Sequence, residues 1–418
     1  MKKNFKFLAL AMLATATVFT SCDSDDNSKV DPDINTGGDE IVVTNGETLM
    51  AEVSGTVTIE AGASVKLDGG LHILDGGVLV IEPGVTITAQ YDEANTDYIF
   101  VEQGGMIEAD GGDASGLIVM TSTLAEAGAW GGIHICGKAP INTSIPSYSE
   151  IESLPYGGTD SSDNSGVLRY VRLEYTGYSY SEDQECNGVS FYGVGNGTTV
   201  EYVQAYHGSD DGFEMFGGTV DLKYCVATSC SDDSFDWTDG WCGRAQFLIA
   251  YQEADIDFKC DCLLECDNQG SNNEATPASH PVIANATLVG NTYSDSKTDG
   301  VMLKAGTEIE LYNSIVVGKT YSVYVKTANT NNKLADGTSI LSGNYTDTGL
   351  TNGYDVPTYD NSDFLASGNT SDYVSTLTNN YFGTIAASAP SLDSSFFEAV
   401  SYAGALSAEN DWTAGWVR

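Results

Sequence analysis

The sequence has little positive charge. Lys and Arg together number 17 among 418 residues, against 59 Asp and Glu, so that the formal net charge is −42. Nucleic acids and anionic membrane surfaces are bound mainly through Lys and Arg, which contact their phosphates. The composition therefore predicts that nucleic acid is not a partner, and it favours solubility and cation binding instead.

Long helix-forming runs are also scarce, and residues 363–381 are the segment where a helix is most expected. Gly, Asn, Asp, Ser and Thr are abundant, a balance typical of many short strands joined by turns. A chain of this length would ordinarily suggest two or three domains, but repetitive β folds run longer as single units. We therefore expect an all-β protein.

The amino terminus has three lysines in its first six residues, followed by an apolar stretch over residues 7–19. This stretch is too short to span a bilayer, and the segment VFTSC that follows ends at Cys22. The pattern resembles a bacterial lipoprotein signal, in which Cys22 is lipidated and becomes the first residue of the mature protein. An ordinary secretory signal with an incidental cysteine is the alternative.

We predict a signal peptide over residues 1–21 and an acidic, disordered tether over residues 22–40. The acidic run directly after Cys22 also resembles the export tag that sends some Gram-negative lipoproteins to the outer face of the outer membrane. We therefore expect the amino-terminal lipid to anchor the protein to the outer membrane at the cell surface, the alternative being an orientation that faces the periplasm.

Cysteines after Cys22 are even in number, which in an exported protein fits disulfides whose pairing cannot be read from sequence. They are Cys136, Cys186, Cys225, Cys230, Cys242, Cys260, Cys262 and Cys266. The spacing of the last three matches no standard metal motif, and the chain contains 4 His. We expect buried or disulfide-bonded cysteines rather than a zinc or iron–sulfur site.

Two segments repeat at a spacing of 22 residues: YVQAYHGSDD begins at Tyr202, and YCVATSCSDD begins at Tyr224. A coil of this length, with three short strands and turns, fits a single-stranded right-handed parallel β-helix. Adjacent coils then stack about 4.8 Å apart, with Phe213 on Phe235 inside. We predict this β-helix over residues 41–330, and irregular carboxy-terminal coils with a short helix and a cap over residues 331–418.

The repeat also stacks acidic residues, because SDDGFEM at Ser209 aligns with SDDSFDW at Ser231. The stacked acids are Asp210, Asp211, Glu214, Asp232, Asp233 and Asp236. They could form a turn ladder in which Asp satisfies backbone amides, a Ca²⁺ site of oxygen ligands, or a catalytic acid pair acting on a glycan. We expect the turn ladder first, Ca²⁺ second and catalysis third.

Three tyrosines, Tyr175, Tyr178 and Tyr180, lie in or beside the segment TGYSYSEDQEC, which has no counterpart in the other coils. Functional residues concentrate on such loops, and an exposed Tyr ring stacks well on a sugar. These tyrosines are therefore candidate ligand-binding residues, the alternative being a loop that covers an edge. We interpret His134 and His207 as structural, because neither has a Ser or Cys partner at nearby spacing.

Several segments also carry a family resemblance: WGGIHICGKAPIN over residues 130–142, DNSGVLRYVRLEYTG over residues 163–177, and the two acidic repeats. They are similar to those of uncharacterised exported β-helix lipoproteins of Gram-negative bacteria. The resemblance implies the fold and export, but it transfers no catalytic residue.

We expect an outer-membrane module that binds a glycan or an envelope protein without catalysis. The alternatives are a Ca²⁺-assisted polysaccharide lyase or glycoside hydrolase, and a structural subunit of an envelope complex.

Overall fold

The computed structural model describes residues 40–92, 95–181, 184–256, 259–291, 299–407 and 409–418. The predicted signal peptide, Cys22 and the tether up to residue 39 lie outside these residues. No helix within the described ranges is long and apolar enough to cross a membrane.

Short parallel strands wind around a common axis and pair with their counterparts in the next coil, which creates three faces. Face 1 contains Ile41–Val43, Thr56–Ile59, Val78–Ile81, Met106–Asp110, Leu222–Lys223, Arg244–Gln246, Val282–Ala284, Glu310–Tyr312 and Ile340–Ser342. Face 2 contains Ser64–Leu67, Thr86–Ala89, Ile118–Ser122, Val226–Thr228, Ile249–Tyr251, Thr287–Val289, Ile315–Val317 and Tyr345–Thr346. Two long strands, Gly166–Glu174 and Thr199–Tyr206, pass through the corner and belong to both faces.

Face 3 is a separate parallel sheet, and it carries most of the acidic residues discussed below. Its strands are Glu52–Val53, Gly70–Ile73, Tyr98–Val101, Ile133–Cys136, Val189–Tyr192, Phe213–Phe216, Phe235–Thr238, Leu264–Cys266, Asp299–Leu303, Tyr321–Val325 and Leu350–Asn352. The prediction of a right-handed parallel β-helix is thus confirmed, and each regular coil contributes one short strand to each face.

The interior is filled by the inward side chain of every second strand residue. Phe213 pairs with Phe235 in the sheet register, and their rings stack at 5.0 Å between centroids, as the repeat predicts. The spacing of 22 residues is not constant, however. Ile133 pairs with Val189, because long insertions separate these two coils.

These insertions form short hairpins outside the coils. One hairpin pairs Ser147–Tyr148 with Pro155–Tyr156, and another pairs Ser179–Ser181 with Gln184–Glu185. A 3₁₀ turn spans Ala114–Gly116.

The carboxy-terminal part is more regular than expected, because parallel strands continue beyond residue 330 to Asn352. Helices span Ala328–Ala335 and Asn361–Ala366, so that only the start of the segment 363–381 is helical. The last residues then run back along the outside of the corner between faces 1 and 2, where Ile385–Ala386 pairs with Tyr402–Ala403. All eight cysteines after Cys22 are free thiols, and seven of them are buried. The disulfides that we considered are therefore not formed in this structure.

Candidate functional site

A ladder of side-chain hydrogen bonds connects the coils at the corner where face 3 begins. Oδ1 of Asn187 accepts a hydrogen bond from the backbone N–H of Asp211 at 3.1 Å. Oδ1 of Asp211 accepts from the N–H of Asp233 at 2.7 Å, and Oδ1 of Asp233 accepts from the N–H of Cys262 at 2.6 Å. The turn ladder predicted from the repeat is therefore present, with Asn187 as an additional member.

Gly212, the glycine in SDDGFEM, allows the backbones of two adjacent coils to approach each other closely. A Cβ atom at Gly212 would lie 2.6 Å from the Ser234 carbonyl oxygen of the next coil, too close for a side chain. The backbone of Asp211 can therefore approach Asp233 closely enough for the ladder bond.

A second row of acids runs along the outer surface of face 3. Because side chains alternate along a strand, the residues that follow the buried Phe213 and Phe235 point outward. Glu214 pairs with Asp236, and Asp236 pairs with Glu265 in the next strand. Three outward carboxylates thus lie in adjacent coils, where strands are about 4.8 Å apart.

The two rows meet in groups of three carboxylates. One oxygen each from Asp211, Glu214 and Asp236 lie within 4.8 Å of one another, and the same holds for Asp233, Asp236 and Glu265. Asp236 belongs to both triads. A third triad joins Asp210, Asp211 and Asp232, so all six acids predicted from the repeat lie in one cluster. We refer to these six residues and Glu265 as the carboxylate cluster.

The cluster is electrostatically strained in its ionised form. Burial, followed by the carboxylates of Glu185, Asp232 and Glu150, raises the pKa of Asp210 to about 8. Burial and neighbouring carboxylates raise the pKa of Asp211 well above its ordinary value. The same two causes raise the pKa values of Glu214, Asp233 and Asp236. Without a cation, protonation is the remaining way to relieve this repulsion.

One oxygen in the centre of the cluster has no hydrogen-bond donor. Oδ1 of Asp236 is buried and receives no hydrogen bond from any residue that the structure describes. The ladder oxygens of Asp211 and Asp233, by contrast, each accept a backbone N–H. A buried carboxylate oxygen without a donor is costly, and it is the kind of atom that a bound cation satisfies.

Lys304 supplies positive charge at one end of the cluster. Its Nζ atom contacts the carboxylate of Glu265, and it lies 3.4 Å from that of Asp267. Lys304 also lowers the pKa of Asp236, although the effects of burial, Glu265 and Asp267 outweigh it.

An insertion over residues 138–163 covers the neighbouring part of face 3 and forms a wall beside the cluster. Its Ile141, Ile151 and Tyr156 belong to a buried apolar group with Tyr192 and Phe216 of the sheet. The wall also adds an acidic residue, Glu150, whose carboxylate accepts a hydrogen bond from the Tyr192 hydroxyl at 3.3 Å. Burial raises the pKa of Glu150 to about 7.

The three candidate tyrosines do not lie together. The rings of Tyr178 and Tyr180 meet edge to face at 5.0 Å, and Tyr180 is 46% exposed. Tyr175 is buried and packs against Tyr206 and His207 instead. Tyr148 in the other insertion is 61% exposed, and this residue was missed because the insertion has no repeat pattern.

The histidines have different environments. His134 is completely buried between the rings of Phe100 and Tyr192, and Nε2 lies 2.8 Å from the Gly131 carbonyl. Burial lowers its pKa to about 4, which agrees with a structural role. His207 lies 2.6 Å from a Glu253 oxygen, a partner that local sequence spacing could not identify.

The class of the protein follows from these features: a three-faced parallel β-helix with an acidic cluster on one face. Residues 51–417 match the family described as pectate-lyase-like β-helix domain, and the chain belongs to that family. Comparisons with curated proteins and with solved structures give no match.

Proposed function

We propose that this protein binds Ca²⁺ at the carboxylate cluster and uses the bound ion to hold an acidic glycan at the cell envelope, without cleaving it. The observation that carries this proposal is the buried Oδ1 atom of Asp236, which lacks a donor and belongs to two carboxylate triads.

The donor set fits Ca²⁺ rather than a softer metal. Ca²⁺ takes about 6–8 oxygen ligands, mainly from carboxylates, carbonyls and water. The two triads that share Asp236 supply oxygen atoms alone, and Glu214 and Asp236 remain partly exposed, so that water and an external ligand can complete the shell. An ion there would also offset the repulsion that raises the pKa values of these acids.

An acidic glycan suits this surface as the ligand. A chain with a net charge of −42 repels a polyanion unless a cation lies between them. The exposed rings of Tyr148 and Tyr180 lie on the two insertions that flank face 3, and the Gln184 amide connects these insertions by a hydrogen bond to the Glu150 carbonyl. Such rings offer flat surfaces for sugar stacking.

A Ca²⁺-assisted lyase is the second candidate, favoured by membership of a pectate-lyase-like family. A lyase needs a base that can reach the substrate. Among the described residues, Lys304 is ion-paired with Glu265 and Asp267. Lys319, which interacts electrostatically with Asp233, is 5% exposed and its Nζ atom donates to the Cys260 carbonyl. These contacts support binding over cleavage.

Calcium titration calorimetry on the wild-type protein and on Asp236→Asn tests the site. We expect Asp236→Asn to weaken Ca²⁺ binding by at least about tenfold, or roughly 1.4 kcal/mol. Glu60→Gln removes an exposed acid far from face 3 and should leave the affinity unchanged. Equal affinities in all three proteins would contradict the site.

Sedimentation with polygalacturonate and alginate, in Ca²⁺ and in EGTA, then tests the ligand. We expect binding in Ca²⁺ alone, without ultraviolet absorbance from unsaturated products. Appearance of these products would establish the lyase candidate, whereas Ca²⁺ binding without glycan binding would leave a structural role in an envelope complex.

The proposal also includes a lipid anchor at Cys22 in the outer membrane. Cys22→Ala should abolish fatty-acid labelling and release the protein from the membrane fraction. Protease shaving of intact cells distinguishes the two orientations, since a periplasmic protein is protected until the outer membrane is opened.

A further inference from the structure

From Tyr170 onward, the corner between faces 1 and 2 places one residue of each coil in the left-handed conformation, with φ between 46° and 84°. In successive coils these residues are Tyr170, Tyr202, Tyr224, Phe247, Asn285, Asn313, Gly343 and Gly368. Along this part of the chain, the corner thus changes from aromatic residues to asparagines and then to glycines, whereas the preceding coils have Gly62, Gly84 and Gly112 there.

The carboxy-terminal segment covers the first six positions. Trp416 packs edge to face on Tyr170 and Tyr202, with ring centroids 5.9 and 6.1 Å away. Further along, Nδ2 of Asn285 donates to the Tyr402 carbonyl at 2.7 Å, and Nδ2 of Asn313 donates to the Ser388 carbonyl at 2.9 Å. The aromatic and asparagine positions are therefore occupied by intramolecular contacts.

The two glycine positions differ from each other, because a Cβ atom at Gly343 would lie 2.4 Å from Oδ1 of Asn313, whereas the space beside Gly368 is open. A Cβ atom at Gly368 would meet no atom within 4 Å. A cavity of about 450 Å³ opens there, between the corner and residues 387–391 of the returning segment. This volume is within the range of about 300–1,000 Å³ that is typical of small-molecule sites.

The side chains that line this cavity are uncharged, in contrast to the acidic composition of the protein. Its lining includes the partly exposed rings of Tyr312 and Tyr345, together with Asn313, Ser342, Ser388 and Pro390. No Asp, Glu, Lys or Arg is among the described residues that line it, although the chain has a net charge of −42. Aromatic faces with hydroxyl and amide groups, and without charge, match a neutral sugar ring.

We propose that this corner cavity binds a neutral saccharide unit. The site is independent of the carboxylate cluster, since it lies on another part of the β-helix, shares no residue with face 3 and needs no cation. If both sites are active, the protein can contact an acidic and a neutral sugar at separate places.

Saturation-transfer NMR with methyl glucoside, methyl galactoside, methyl mannoside and N-acetylglucosamine, and with galacturonate as the charged comparison, each at millimolar concentration, tests this site. We expect transfer to at least one of them, unchanged in EGTA. Ser388→Trp should fill the cavity and weaken binding by at least about tenfold, because the Ser388 carbonyl bond to Asn313 does not need the side chain. Ser391→Trp is a second blocking variant if the first does not fold.

Ala389→Trp is the matched control, because Ala389 is exposed in the same segment but does not line the cavity. This variant should bind the sugar as the wild type does. Four results would overturn the proposal: no transfer to any neutral probe, equal binding by the folded blocking variants, loss of binding in EGTA, or stronger binding of galacturonate than of the neutral probes.

Discussion

In the absence of divalent cations, the free energy of unfolding of this protein should decrease as the pH rises through neutrality. The reason is the carboxylate cluster, whose acids must lose their protons in a buried, negatively charged environment. Burial and the carboxylates of Glu185, Asp232 and Glu150 raise the pKa of Asp210 from 3.8 to about 8. At pH 7 the folded state therefore holds a proton that the unfolded state has released, and stability falls as the pH rises.

The size of the effect follows from proton linkage. One proton changes the free energy of unfolding by about 1.4 kcal/mol per pH unit. A carboxyl that stays protonated in the folded state between about pH 6.5 and pH 8 thus contributes up to about 2 kcal/mol of lost stability. Asp210 contributes somewhat less, because its pKa lies near the end of this range. The other acids with raised pKa values change stability in the same direction.

The lower limit of the range is set by His134. Burial lowers its pKa from 6.5 to about 4, so that its contribution to stability increases as the pH rises between these values. Above about pH 6.5 the histidine is neutral in both states and contributes no slope. A decrease measured between this pH and about pH 7.5 therefore belongs to the acids, because the thiols, whose pKa values burial raises, release protons in the unfolded state mainly above it.

Urea denaturation followed by circular dichroism, in EGTA and in Ca²⁺, measures the effect. In EGTA we expect the free energy of unfolding to fall as the pH rises from about 6.5 to 8, by up to about 2 kcal/mol for Asp210 and further for the other acids whose pKa values are raised. In Ca²⁺ at about 100 times the dissociation constant, the folded state gains about 2.7 kcal/mol. Asp210→Asn should reduce the EGTA slope by up to one proton. A flat or rising stability in EGTA would refute the assignment of raised pKa values.

Three further changes test the packing by urea denaturation. Phe235→Ala should cost about 3–5 kcal/mol, because it empties the stack with Phe213. Trp416→Ala should cost a similar amount, about 3–5 kcal/mol, without altering Ca²⁺ affinity, since its ring is 1% exposed against the corner tyrosines. Gly212→Ala should cost about 1–3 kcal/mol through its clash with the next coil. Val374→Ala, at an 82% exposed site, is the control and should stay within about 0.5 kcal/mol. Equal stability of a core variant and this control would contradict the packing.

The regular coils could be predicted from the sequence because equivalent positions in stacked coils carry similar residues at a fixed interval along the chain. The interval between Tyr202 and Tyr224 placed Phe213 on Phe235 and Asp211 under Asp233. The returning carboxy-terminal segment could not be predicted in this way. Trp416 contacts Tyr170 across a large sequence separation, and a contact of this kind has no periodicity.

The carboxylate cluster could likewise be predicted only in part, because some of its residues belong to the repeat and others do not. Asp210, Asp211, Glu214 and their counterparts follow from the repeat, but Glu265 does not, because the interval from Asp236 to Glu265 is longer than one regular coil. Glu150 and Lys304 come from parts of the chain without that repeat, yet both act electrostatically on the cluster.

Ladder formation and cation binding, which the sequence presented as alternatives, are compatible because they use different oxygens. The Oδ1 atoms of Asp211 and Asp233 satisfy backbone N–H groups, and this use keeps the coils in register. Asp236 points outward from the strand and belongs to no such bond through Oδ1. A turn that only needed hydrogen-bond acceptors would be served by Asn, as Asn187 demonstrates in the preceding coil. The choice of Asp at the next two positions adds charge that the ladder does not require, and the Ca²⁺ ion that we propose would neutralise that charge.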